Sequence, residues 1–377
     1  MLALVTDAFG GQGGIAAATR ATLSGFAGSG HCRSIQVLPR LAPDTAGALP
    51  DKIRQTPPHH NRFAFAFTSA AHALRRRPSV VYCNHVFMAP LARLIARATG
   101  AKLILHVHGI EIWRAPRPAQ RVALEAADVV VSVSRHTRRM VLGQASLSPE
   151  RVVVVGNTID DSFTPGDRAT ARQRLGISAE SVLLLTVGRL AAAERYKGHD
   201  RVFDALAAIA PADRQKILYV VAGEGDDRAR LEALARDQAL ENVVRFVGYT
   251  KDDDLLNLYR AADIFVMPST GEGFGIAFLE AMACGTPVLG LAVAGAKDAL
   301  ADGELGKCVA AENFAATLAE MIERRSRPDN LPAIVQARFG AAVFRAQLEH
   351  VLSSLAGEGG AGLPPPRLAR DRSPTGA

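Results

Sequence analysis

The run DIFVMPSTGEGFGIAFLEAMACGTPVLGL, residues 263–291, decides the fold. It opens on DIFVMPS (263–269), an apolar, β-branched and aromatic run of strand length. A glycine-rich bend follows, then FLEAMA, an apolar helical pattern stopped by Gly285 and Pro287. TPVLGL (286–291) is a second short apolar run. Strand, bend, helix and strand make the βαβ unit of a parallel sheet, whose strands are apolar because helices cover both faces.

The rhythm extends outward in both directions. Upstream in the same half lie SVLLLTVG (181–188), KILYVVAG (216–223) and NVVRFVG (242–248), with helical patterns at 201–210 and 228–238. The first half repeats it: LALVT (2–6), SIQVL (34–38), SVVYC (79–83), KLILHV (102–107), DVVVSV (128–133) and RVVVV (151–155). Helical patterns at 15–26, 63–77 and 90–100 alternate with these. The reading is α/β, with two doubly wound parallel-sheet domains. GNTIDDSFTPGDRATARQRLGI (156–177), polar with Pro and Gly, reads as a linker. The expected division is therefore 1–165, 166–335, a terminal helical segment at 336–356 and a disordered Pro/Gly-rich tail at 357–377.

Bulk properties narrow the function. The 377 residues are 48% hydrophobic, 21% charged and 6% aromatic, an ordinary globular composition. No run approaches the ~20 apolar residues of a membrane span. MLALVTDAFGG lacks the basic start of a signal peptide and reads as a first strand. Cys32, Cys83, Cys284 and Cys308 are scattered, which argues against zinc or a disulfide framework and for a reducing cytoplasm. The net charge of +7 is uneven: residues 1–170 hold 20 Lys and Arg against 10 Asp and Glu, the remainder 24 against 27. A basic first half suits an anionic membrane or a solvated surface; without zinc-finger or aromatic RNA-binding patterns, nucleic acid is not the expected partner.

Four motifs sit where strands end. Gly10, Gly11, Gly13 and Gly14 lie between a first strand and a helix, where glycines admit a phosphate or sugar to the backbone and a helix N-terminus favours negative charge. A plain strand–helix turn would read the same, and the spacing is not that of a dinucleotide fingerprint. LILHVHGIEIWR (103–114) brings His106, His108 and Glu111 to a strand end. His106 lies inside the strand alternation and reads as a core histidine, while His108 beside a glycine reads as functional; a metal reading ranks low. Gly188, Arg189 and Lys197 follow the next half's first strand, and a guanidinium with an ammonium suits a diphosphate. Arg195 reads as an ordinary surface cation. Last, Glu272, Gly273, Phe274 and Gly275 form the opening bend, with their amides at a helix N-terminus. Glu280 lies within the helix beside Phe278, Leu279 and Met282 and needs a cation or hydroxyl partner, because a lone buried carboxylate protonates.

In this order the motifs resemble the retaining glycosyltransferases of GT-B fold, glycosyltransferase family 4. GEGFGIAFLEAMACGTPV looks like their paired-glutamate segment, and DAFGGQGG, HVHG, GNTIDDSF, VGRL with YKGHD, and AGEGDD fall in the family's sequence over residues 2–355. The resemblance implies two Rossmann-like domains facing a cleft, with the terminal helix crossing back to the first. It implies transfer of a hexose from a nucleoside-diphosphate sugar, GDP-mannose or a UDP-hexose, with retention and without a cofactor or required metal. Arg189 and Lys197 would neutralise the diphosphate, Glu280 would hold the ribose, and Glu272 would contact sugar hydroxyls near the Phe274 and Gly275 amides. His108 would approach the transferred sugar, and the Gly10–Gly14 loop would line the cleft. The implied acceptor is a glycan or polyprenyl-diphosphate-linked glycan, in bacterial exopolysaccharide or lipopolysaccharide synthesis, on the cytoplasmic face of the inner membrane. A nucleotide-sugar 2-epimerase of the same fold and a non-catalytic binding protein are the alternatives. Two departures stand out: Ala294-Gly295-Ala296-Lys297-Asp298 replaces the usual Gly-Gly-x-x-Glu, and Asn157-Thr158 replaces Asn-Gly.

Overall fold

The computed structural model describes residues 1–41, 47–250 and 252–357. The expected disordered tail, from residue 358 on, lies outside them. Internal contacts divide the chain into a first unit, Met1–Thr158 with the segment from Ala341, and a second, Ile159–Gly340.

The first unit holds seven strands: β1 (Leu2–Val5), β2 (Ile35–Pro39), β3 (Ile53–Gln55), β4 (Val80–Cys83), β5 (Lys102–Val107), β6 (Val129–Ser132) and β7 (Val152–Val154). Their order is β3-β2-β1-β4-β5-β6-β7, and every pairing is parallel. Because side chains alternate along a strand, Leu4, Val81, Leu103 and Leu105 pack on one face with Ala92 and Ile95 of the Ala89–Thr99 helix. On the other face Val5, Tyr82 and Ile104 meet Leu23 and Phe26 of the Gly14–Gly28 helix. That second core also takes Phe344, Leu348 and Val351 from the Ala341–Ala356 helix.

The second unit holds β8 (Val182–Val187), β9 (Ile217–Ala222), β10 (Val244–Gly248), β11 (Ile264–Met267), β12 (Val288–Leu291) and β13 (Lys307–Val309). The order is β10-β9-β8-β11-β12-β13, again parallel throughout. In each sheet the strand order reverses beside the first strand of the unit, and loops leaving the carboxyl edge there are where such sheets bind ligands. The two doubly wound parallel sheets read from the sequence are therefore present.

Two details depart from the sequence reading. β3 and β13 were not expected: each has only three residues at or near a sheet edge, too short for a periodic signal. The stretch 156–177 is not simply a linker. Asp167 accepts from the Thr170 amide at 2.8 Å and caps a helix at Arg168–Arg174. Within it Arg172 is buried against Asp263, 2.6 Å away, so most of the stretch is built into the second unit.

Candidate functional site

In the second unit the carboxyl edges of β8 and β11 carry the residues expected to bind a donor. Gly188 and Arg189 follow β8, and Lys197 ends the 3₁₀ turn Ala192–Lys197. Lys197 Nζ donates to the Arg189 carbonyl at 3.3 Å, and a Cβ on Gly188 would lie 3.0 Å from that nitrogen. A residue that sequence reasoning missed joins them. Glu194, buried, pairs through one carboxylate oxygen with Arg189 and through the other with Lys197 Nζ at 2.8 Å. Its spacing, three residues before Lys197, was the available signal.

The β11 edge supplies the opening bend. Thr270 N donates to the Tyr196 carbonyl at 2.7 Å, tying this loop to the Lys197 turn. Burial pushes Glu272 up to about 7, while Lys197 and the Gly273 and Phe274 amides pull it down and Glu194 pushes it further up. Gly275 begins the Ile276–Ala283 helix with φ 97°, a left-handed cap, and a Cβ there would meet the Phe278 ring at 2.5 Å. Gly295 N donates to the Glu272 carbonyl at 2.9 Å, so the segment that departs from the family pattern still braces the bend. Ala294 takes φ 47° there, a conformation glycine adopts more readily.

Glu280 has the partner its apolar surroundings required. The Tyr259 hydroxyl donates to its Oε2 at 2.6 Å, and Phe163 stacks edge-on against Tyr259, with centroids 5.6 Å apart. Burial pushes Glu280 up to about 7, with the Tyr259 bond opposing and Asp160 adding to the rise. Near neutral pH it is poised between acceptor and donor. Tyr259 lies 21 residues upstream in a different helix, Asp252–Ala261, which is why the sequence named the need and not the residue. Arg195, read as an ordinary surface cation, instead bonds the buried Asp227 through Nε at 2.8 Å, and Arg230 joins Asp227 to Asp200.

The first unit gathers its own expected residues. Gly10, Gly11, Gly13 and Gly14 form the turn between β1 and the Gly14–Gly28 helix. A Cβ on Gly11 would sit 1.9 Å from the Asp7 carboxylate, so a larger residue there requires the Asp7 side chain to move. Arg20 pins the loop by donating to the Ala8 and Gly11 carbonyls at 3.1 and 2.7 Å. Asp7 is raised by burial, against the Ala8 amide and Arg20. Neither Asp7 nor Arg20 was singled out from sequence.

His108 follows β5 and is buried, its ring 4.4 Å from that of His106 between centroids. His106 is a core histidine: Nδ1 bonds the Tyr82 hydroxyl at 2.8 Å, and burial lowers it to about 3. His108 is held well below its ordinary value by burial, then by His106 and His85, with the Asn84 main chain opposing. Its Nε2 has no hydrogen-bond partner among the described residues. Held neutral, the ring has one nitrogen that donates and one that accepts. Glu111 Oε1 accepts from His108 N at 2.8 Å, so it shapes the loop and does not join the histidines around a metal. Among the described residues no group of three His, Cys, Asp or Glu is arranged to hold a metal ion, and no helix is long and apolar enough to cross a membrane.

Comparison with known proteins assigns both units. Residues 13–163 match Glycosyltransferase Family 4, and residues 167–336 match Glycosyl transferases group 1. A D-inositol 3-phosphate glycosyltransferase of Geodermatophilus obscurus is 37% identical over 227 residues, 56% of this chain and 50% of that protein. Against that relative the match thus spans half the relative's length. The corresponding enzyme of Frankia alni is 30% identical over 301 residues, 73% of each chain. Anabaena HepE, crystallised in complex with UDP, superposes with a TM-score of 0.74 at 22% identity, covering 94% of this chain and all of that one. With both sheets, both family matches and this superposition in agreement, the chain belongs to the glycosyltransferases of GT-B fold and family 4 type.

Proposed function

We propose that the protein transfers a hexose from a nucleoside-diphosphate sugar, GDP-mannose or a UDP-hexose, with retention at the anomeric carbon and without a metal ion. The observation that carries this reading is the joining of Arg189 and Lys197 at one strand edge, braced to the Glu272 bend through the Tyr196–Thr270 bond. As the bond from the anomeric carbon to the diphosphate breaks, its electron pair passes to the leaving oxygen. Arg189 and Lys197 stabilise the charge that accumulates there. The acceptor hydroxyl oxygen bonds the anomeric carbon, and its proton passes to the departing phosphate. Glu280, already bonded to a hydroxyl, suits a ribose; Glu272 suits sugar hydroxyls; and the neutral ring of His108 suits a sugar hydroxyl.

A screen of nucleoside-diphosphate sugars tests this, run with a polyprenyl-diphosphate glycan and with inositol phosphate, the acceptor class in the relatives' names. Glycosylated acceptor from a GDP- or UDP-hexose is the expected product. Free epimerised sugar with nucleotide would favour the 2-epimerase alternative, and donor binding without turnover the non-catalytic one.

We favour a lipid-linked glycan acceptor, in bacterial envelope or exopolysaccharide synthesis, reached from an anionic membrane surface in the cytoplasm. Residues 52–110 contain nine Lys and Arg and no Asp or Glu. Within them the Arg62–Arg76 helix buries Phe65, Ser69 and Ala73. It turns Phe63 and Phe67, 69% and 76% exposed, and Leu74 outward on one stripe, with Arg75, Arg76 and Arg77 at its end. Exposed aromatics beside arginines suit a lipid interface. Replacing Phe63 and Phe67 with serine is expected to lower partition onto phosphatidylglycerol vesicles at least about tenfold, with binding to neutral vesicles weak throughout. Equal partition of wild type onto neutral and anionic vesicles at low salt would overturn this reading.

A further inference from the structure

Glu194 lies where the two proposed diphosphate cations meet. It is 7% exposed, whereas Arg189, which it grips, is 68% exposed. Its second carboxylate oxygen is 2.8 Å from Lys197 Nζ. The residue is built into the turn: its backbone leaves helical values at φ −116° and ψ 23°, and its amide donates to the Ala191 carbonyl at 2.7 Å. The bridge is therefore made by a side chain the fold buries, with the exposed arginine drawn to it.

One carboxylate spanning two cations has a consequence for anion binding. An anion that touches only one cation must break one arm of the bridge for the single contact it gains. A diphosphate offers a phosphate to each cation and must break both arms, so the carboxylate opposes it at least as strongly as it opposes a monophosphate; in return both cations are already held side by side. Glu272, the other carboxylate near Lys197, adds to the negative charge that an incoming anion meets.

Resting on the donor-site reading above, we propose that Glu194 is a positioning residue. It holds Arg189 and Lys197 together and keeps the exposed Arg189 in place for the transition state, at a cost in ground-state affinity for the nucleotide anion.

Calorimetric titration of UDP, UMP, GDP and GMP into the full chain and its Glu194→Gln variant tests this. The glutamine keeps the shape and removes the charge. Diphosphate affinity is expected to rise about tenfold in the variant, the scale of one charge-assisted bond, and monophosphate affinity by no more than that. In steady-state kinetics kcat falls while the donor KM does not rise, a split that simple loss of the site would not give. Glu194→Asp, shorter by one methylene, reaches one cation at a time and gives an intermediate kcat. A kcat unchanged within about twofold in Glu194→Gln, or parallel loss of affinity for all four nucleotides, overturns the role of Glu194. Failure of the wild-type chain to bind either diphosphate overturns the donor-site reading instead.

Discussion

Lys197→Ala is expected to lower kcat/KM about a thousandfold, the cost of removing one preorganised group from a developing anion. The effect follows from the lysine's setting. Its stem is partly buried, Glu194 and the Arg189 carbonyl hold its ammonium, and Gly188 leaves room for it beside the strand end. Arginine is not a rescue, because a guanidinium fork is wider than the compact ammonium that Glu194 and the Arg189 carbonyl hold. The variant should keep its thermal midpoint, since the deleted charge lies at a loop and not in the core. Lys197 also pulls Glu272 down, so its loss moves Glu272 titration to higher pH and extends the protonated form further into the neutral range. Steady-state kinetics across pH 6–9 read both effects. Wild-type turnover in a folded Lys197→Ala protein would remove the lysine, and with it the diphosphate assignment, from the site.

Asp263→Ala is expected to cost about 3–5 kcal/mol of stability in the second unit. Asp263 is buried and receives Arg168, Arg172 at 2.6 Å and the Leu183 amide at 2.7 Å. Arg172 is buried too, donating also to the carbonyls of Ser178, Ala179, Ser181 and Ala261. Burial lowers its pKa while Asp263 opposes that, so removing the aspartate strands a buried guanidinium. Carbonyls satisfy its hydrogen bonds but not its charge. Urea unfolding offers a built-in control: the chain's single tryptophan, Trp113, belongs to the first unit. Circular dichroism should show an early transition from the second unit, while tryptophan fluorescence moves less. A loss below about 1 kcal/mol would show that the network adds nothing beyond an exposed pair.

The same aspartate marks the limit of sequence reading. Asp263 opens DIFVMPS and reads there as the polar residue before a strand; its arginines lie 91 and 95 residues earlier, in a stretch whose Pro, Gly and charge imitate a linker. The apolar runs behave otherwise. β1, β5, β8 and β11 are buried on both faces, so each must be apolar along its length, and a parallel sheet with helices between follows from local pattern alone. The glycine bends and strand-end cations are legible for a related reason, since they fall where strands stop.

The partners of those residues are a different matter. Tyr259 under Glu280, Arg20 across the Gly10–Gly14 turn, and Arg230 between Asp200 and Asp227 arise from elements that meet only after the sheets are wound. Even Glu194, three residues from Lys197, needs the end of β8 to bring Arg189 to its other oxygen. By itself the sequence determined two wound sheets, the order of their motifs and which residues stand at the strand ends, because burial periodicity and turn chemistry act over a few residues. Only the tertiary structure decided which charges neutralise one another, because ion pairs and hydrogen bonds are made across space, and chain separation leaves no local trace of them.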